Sequence, residues 1–202
     1  MKEKWDDITI GDYQELCSIE SEGVQRTVDI VSLLTDKDSD EIRRLPLGEF
    51  FDYQKRIGFI STSPDAYVLD TFELDGVEYG RIPDLDFIRT DEWMDIVTWK
   101  DKSIDNMHLI TAVLFRPITK KSDDGSYEIE EHKQEGFMKR ADKFKNELSI
   151  SKVYGTQVFF SLFALEFLVS IQDYSTPPPQ KKETMKKTSR KKATQKHTRK
   201  NK

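Results

Sequence analysis

The sequence predicts an α+β protein, predominantly helical with a small inserted antiparallel β-hairpin, followed by a disordered basic C-terminal tail. Three observations carry this. Apolar residues recur at spacings of three and four over most of the chain, which is the period of a helix face. The period drops to two on either side of Asp75-Gly76. Aromatic residues stop at Tyr174, and the segment beyond it is polar and basic. The chain therefore divides into a mainly helical globular domain, residues 1–174, and a tail, residues 175–202. At 202 residues it suffices for one ordinary core, and with 36% hydrophobic and 34% charged residues that core is lean.

The first helix is announced by Thr9 with Asp12 three residues on, a capping box with Asp in place of Glu or Gln. Tyr13, Leu16, Cys17 and Glu20 then share a face, and the single cysteine is expected to be a small buried residue. A second helix, residues 24–34, directs Val24, Val28, Val31 and Leu34 inward, with Ile30 at the edge of that face. Asp38 or Ser39 caps a short third helix that Pro46 limits, and a fourth follows over residues 47–57. Alternation from Tyr67 to Tyr79 around Asp75-Gly76 gives the hairpin, closed at Ile82-Pro83-Asp84.

Thr90, Asp91 and Glu92 start a fifth helix with Trp93, Ile96 and Val97 on its apolar side. Ser103 caps the next, residues 104–115, whose buried stripe is Ile104, Met107, Ile110 and Leu114 and which Pro117 ends. Residues 120–127 read as a polar loop around Asp124-Gly125. A charged helix over residues 130–147 places Phe137, Ala141 and Phe144 on one side. Ser149 or Ser151 caps a last helix ending near Tyr174, so apolar that it is expected to form the centre of the core. The run Val158 to Ile171 is interrupted by Glu166 and is shorter than the roughly 20 residues a membrane span needs. No membrane association is expected, and the N-terminus has no apolar signal core.

Charge is strongly partitioned. Residues 181–202 hold eleven basic side chains against Glu183, a net +10, whereas residues 1–180 hold 21 basic against 36 acidic, a net −15. The basic side chains Lys181, Lys182, Lys186, Lys187, Arg190, Lys191, Lys192, Lys196, Arg199, Lys200 and Lys202 are the candidate polyanion-binding residues. They come without interleaved aromatics, so they suit non-specific attraction to phosphate or acidic protein and carry no base-reading device.

Catalysis is not expected. His108, His132 and His197 lack partners at metal-ligand spacing; His108 reads as a packed helix residue and His132 as a solvated one. Phosphate-loop, dinucleotide, nucleophile-elbow and zinc-protease motifs do not occur, and no cofactor is implied. Asp84, Asp86, Asp91 and Glu92 are what turns and helix starts use anyway. An enzyme of this sequence would need a pocket beside the Asp-Gly hairpin holding a carboxylate of shifted pKa.

Four stretches resemble a family of tailed-bacteriophage tail assembly chaperones: WDDITIGDYQEL (5–16), LLTDKDSDEIRRLPL (33–47), FELDGVEYGRIPDL (72–85) and RADKFKNELSISKVYGTQVFF (140–160). The resemblance implies a non-catalytic helper in the host cytoplasm that coats the tape-measure protein while the tail tube polymerises and is absent from the finished particle. It transfers no site residues, because such a function uses surfaces. The basic tail admits an alternative, a virion structural protein of the head or head-to-tail region that lies against packaged DNA.

Overall fold

The chain traps its own N-terminal segment beneath the link that joins residues 137–147 to residues 154–175, both helical. In the computed structural model, which describes residues 1–84, 88–132 and 135–175, Thr9 bridges Ser149 in antiparallel fashion. The Ile10 amide donates to the Leu148 carbonyl at 3.0 Å and the Ile150 amide to the Ile8 carbonyl at 2.8 Å. Ile8, Ile10, Leu148 and Ile150 are completely buried there.

Helix α1 (Ile10–Ser18) starts at the expected capping box, with the Thr9 hydroxyl accepting from the Asp12 amide and the Asp12 carboxylate accepting from the Thr9 amide. Its buried side is Ile10, Gly11, Gln14 and Leu16. Cys17 is exposed, contrary to expectation: it lies in the last turn of α1, which ends at Ser18, one residue past it. Helix α2 (Gly23–Thr35) buries Val28, Ile30, Val31 and Leu34 but leaves Val24 in solvent. Asp38 caps α3 (Ser39–Arg43), and α4 (Leu47–Arg56) begins behind Pro46.

Asp75 and Gly76 adopt positive φ angles of 49° and 72°, the turn that matches strand twist, and join β1 (Thr71–Leu74) to β2 (Val77–Arg81). Tyr67 and Leu69 lie outside the strand. The sheet is larger than the sequence indicates: β3 (Phe115–Lys121) and β4 (Tyr127–Ile129) extend it to four antiparallel strands in the order β1-β2-β3-β4. Helix α5 (Thr90–Trp99) precedes α6 (Met107–Leu114), and α6 passes directly into β3 at Phe115, so the chain is already extended before Pro117. Pro117 sits opposite Tyr79 where β3 changes partner from β2 to β4, a place where a strand tolerates the missing amide, and its carbonyl accepts from the Glu130 amide. The loop expected over residues 120–127 is shorter: Lys120, Lys121 and Tyr127 are paired in the strands, and residues 122–126 form the turn of this second hairpin. Gly80 has room only for hydrogen, since a Cβ there would lie 2.5 Å from the Tyr127 ring.

Helix α7 (Phe137–Glu147) starts later than expected, after Gly136 at φ 81°. It lies across the sheet, where Phe144 meets Tyr79 at 5.0 Å and Phe72 at 5.7 Å. Arg140 donates through Nε and Nη2 to the Ala112 carbonyl at 3.2 and 3.1 Å, satisfying the C-terminal end of α6. Ile104 is exposed and Ser103 and Asn106 form a turn, so α6 is shorter than the residue 104–115 helix expected. The centre of the core is the end of α6 and the start of β3: Ala112, Val113, Leu114 and Phe115 are all fully buried.

Helix α8 (Tyr154–Ser175) follows a 3₁₀ turn capped by Ser149. It is not the core centre. Its first turns bury Thr156, Gln157, Phe160 and Ala164, while Val158, Phe159, Leu162 and Leu165 face solvent. Among the described residues no helix is long and apolar enough to cross a membrane.

The backbone at residues 66–67 crosses the start of α8 so closely that a Cβ on Gly155 would lie 2.2 Å from the Tyr67 carbonyl oxygen. Alanine would gain up to about 1 kcal/mol of helix propensity there. The overlap with rigid backbone outweighs it. Gly155→Ala is therefore expected to destabilise by about 1–3 kcal/mol in a urea titration; a stabilised variant would show that this segment does not cross α8.

Candidate interaction surface

Two constellations stand out, one polar and one apolar. The polar one is a cleft of about 290 Å³ where Ile82-Pro83-Asp84, the first turn of α5, Arg116 of β3 and the Ile129–Glu131 segment meet. It lies at the opposite end of β2 from Asp75-Gly76. Arg116 and Glu92, only 5% and 2% exposed, form an ion pair of 2.8 Å. Burial pulls the Arg116 guanidinium below its ordinary value, and the neighbouring Glu92 carboxylate opposes that shift. The second Glu92 oxygen accepts from the Arg89 amide at 2.9 Å. Glu92 is thus more than a helix-start acid: it ties α5 to the sheet. Both charges are spent on each other, so the pair reads as a clamp rather than as an acid and a base. Asp75 is shifted downward, held in its charged form by Lys143 at 2.7 Å on the surface.

His132 also departs from expectation. It is buried outside any helix, with Nε2 2.8 Å from the Asp95 carboxylate and its ring edge-on to Phe137 at 5.7 Å. Tertiary packing of the segment before α7 encloses it. His108 is packed as expected, with Nδ1 3.0 Å from the Gln14 amide; burial lowers its pKa, so it favours the neutral ring. Among the described residues no group of three or more His, Cys, Asp or Glu side chains could hold a metal ion.

The apolar constellation is built around α8. Gln157, buried, donates to the Met107 carbonyl at 3.1 Å and to the Thr111 hydroxyl at 2.8 Å, fastening α8 to α6. Gln14 donates to the carbonyls of Ile104 and Asp105 at 2.8 and 2.7 Å, fixing the turn before α6 against α1. Between these two anchors lies a groove of about 260 Å³. One wall is Tyr13, Ile104 and Met107, and the other is Tyr154, Val158 and Leu162 of α8. Tyr13 and Tyr154 meet edge to face at 6.0 Å, and burial raises the Tyr13 hydroxyl well above the usual tyrosine range.

Val158 is 37% exposed, Leu162 63% and Leu165 62%, so the groove opens onto an apolar seam with the four-then-three spacing of a helix-packing face. Phe159, 40% exposed and stacked on Phe163 at 6.4 Å, flanks it. This seam is present in the sequence as a spacing, but α8 is apolar on every side, so no single face announces itself there.

No known protein family, characterised protein or solved structure matches this chain. The eleven candidate polyanion-binding residues, Lys181 to Lys202, all lie outside the described residues, as does Asp86.

Proposed function

We propose that the protein is a non-catalytic phage assembly protein that holds a partner chain on the α8 surface, in the manner of the tail assembly chaperones its sequence resembles. The partner in that reading is the tape-measure protein. The observation that supports it is the exposed seam Val158, Leu162 and Leu165 beside an apolar groove, because contiguous apolar surface of this kind is what protein interaction sites present to solvent. Holding a chain without transforming it needs such a surface and no reacting group.

The test is co-expression of the full chain with the tape-measure protein of the same phage, together with mass spectrometry of purified particles. Co-purification of the two and absence from particles are expected. Recovery of the protein at high copy in particles would overturn the assignment. It would favour the second reading, a head or head-to-tail virion protein, which the +10 charge of residues 181–202 supports. Under that reading duplex DNA binding falls steeply with salt and disappears on deletion of residues 175–202.

A further inference from the structure

Helix α4 lies on the body with its apolar side chains incompletely covered. None of its ten residues is buried, although Leu47, Phe50, Phe51 and Tyr53 make it amphipathic. Phe50 and Tyr53 are half-buried against the core, whereas Leu47 and Phe51 are 66% and 48% exposed. A helix this short is marginal in water by itself and depends on burial of its apolar face. The body supplies only part of that burial.

Beside α4 lies an apolar groove of about 240 Å³. Val28 and Ile42, both buried, form its floor, and Val24, Leu45, Leu47 and Phe50 complete its walls. A cavity of about 150 Å³ lined by side chains of this kind holds a benzene ring, so the groove has room for a phenyl group. Its one charged lining residue, Arg43, is held in place: Nη1 donates to the Asp40 carboxylate at 2.9 Å and Nη2 to Gln25 Oε1 at 3.1 Å. Gln25 is fixed in turn by donating to Asp29 at 2.6 Å. The guanidinium remains half-exposed.

The same surface carries the parts that fit this groove. Phe51 is the projecting ring, and the next residue, Asp52, is exposed and only loosely paired with Lys55 at 3.7 Å. A two-fold contact forms where a patch complements itself, each residue meeting its counterpart's partner twice. Here an apolar knob with a carboxylate beside it adjoins an apolar hole with a guanidinium beside it. The order of charges along α4 fixes the direction. Glu49 and Asp52 precede Lys55 and Arg56, so two copies packed in parallel would set like charges together, whereas antiparallel packing sets opposite charges together.

We propose that this face of α2, α3 and α4 is a homodimer interface in which Phe51 of each copy enters the groove of the other and Asp52 of each meets Arg43 of the other. It shares no residue with the groove on α8 and does not depend on the assembly reading. The patch is one helix about 15 Å long with its immediate neighbours, so its area is at the small end for a specific contact. A dissociation constant of about 10–100 µM is expected.

Sedimentation equilibrium of the full-length protein over about 5–500 µM tests this, at about 0.15 M ionic strength, where repulsion between two acidic bodies is screened beyond about 8 Å. A monomer–dimer equilibrium is expected. Phe51→Glu is expected to weaken it about tenfold or more, with the urea midpoint unchanged because the ring is half in solvent. Asp52→Arg sets a cation against Arg43 and is expected to weaken it about fivefold. Adding Arg43→Glu to Asp52→Arg in the same chain reverses both charges and is expected to recover most of that loss, which a role of Asp52 confined to its own chain would not do. A chain that stays monomeric at about 500 µM overturns the proposal and leaves this face to another protein. A dimer that Phe51→Glu leaves intact overturns it as well, and one that Leu162→Glu dissociates instead assigns self-association to the seam on α8.

Discussion

Glu92→Ala is expected to destabilise the protein by about 3–5 kcal/mol, read as a lower urea midpoint at unchanged slope. The reason is the fate of Arg116 rather than the loss of one attraction. Its guanidinium is buried between α5 and β3, and its Nε has no hydrogen-bond partner. Removing the Glu92 carboxylate would leave a buried cation without its counter-charge and would also uncap the Arg89 amide. Set against a typical total stability of about 5–15 kcal/mol, that cost brings the fold close to its limit. Glu92→Leu combined with Arg116→Met removes both charges and fills the space with apolar atoms, so it is expected to recover most of the loss. A Glu92→Ala variant within about 1 kcal/mol of the parent would mean that the pair is solvated and behaves as a surface ion pair.

How much of this molecule is legible in its sequence depends on how far a signal must reach. Thr9 and Asp12 satisfy each other's amides across three residues, and Asp75-Gly76 supplies its own turn, so both are readable locally and both stand in the structure. Strand β3 is not readable in that way. Phe115 follows a helical run without a break, and the strand exists because Gly80, Arg81 and β4 offer it partners from elsewhere in the chain. The same applies to Glu92, whose burial is set by Arg116, and to His132, whose burial is set by Asp95 and Phe137.

The apolar run of α8 shows the limit most clearly. Hydrophobicity alone makes it the natural core, yet a helix can be apolar all round because it faces the body on one side and a partner on the other. Among its described residues, Gly155, Thr156, Gln157, Phe160 and Ala164 face the body. The exposed apolar side chains Val158, Leu162 and Leu165 are the ones proposed above to meet a partner. Excess apolarity over residues 158–165 thus points outward here, and the surface proposed to hold a partner and the expected core are the same element.

That distinction has a measurable consequence in a comparison of two phenylalanines. Phe144 on α7 is fully buried against Phe72 and Tyr79 of the sheet, whereas Phe159 on α8 is 40% exposed and touches only Phe160 and Phe163 of its own helix among the described aromatic rings. Phe144→Ala is expected to cost about 3–5 kcal/mol, because it removes the ring from a closed site that cannot collapse around the cavity. The two aromatic contacts add to that cost, since such pairs contribute about 0.5–1.5 kcal/mol beyond area burial. Phe159→Ala loses less buried area and leaves no closed cavity, so it is expected to cost about 1–2 kcal/mol, clearly less than Phe144→Ala. Chemical denaturation of the two variants side by side separates the alternatives. Equal losses, or a larger loss at Phe159, would return α8 to the centre of the core and withdraw its outer face as an interaction surface; the expected order places the core at α6, α7 and the sheet and keeps α8 free to bind.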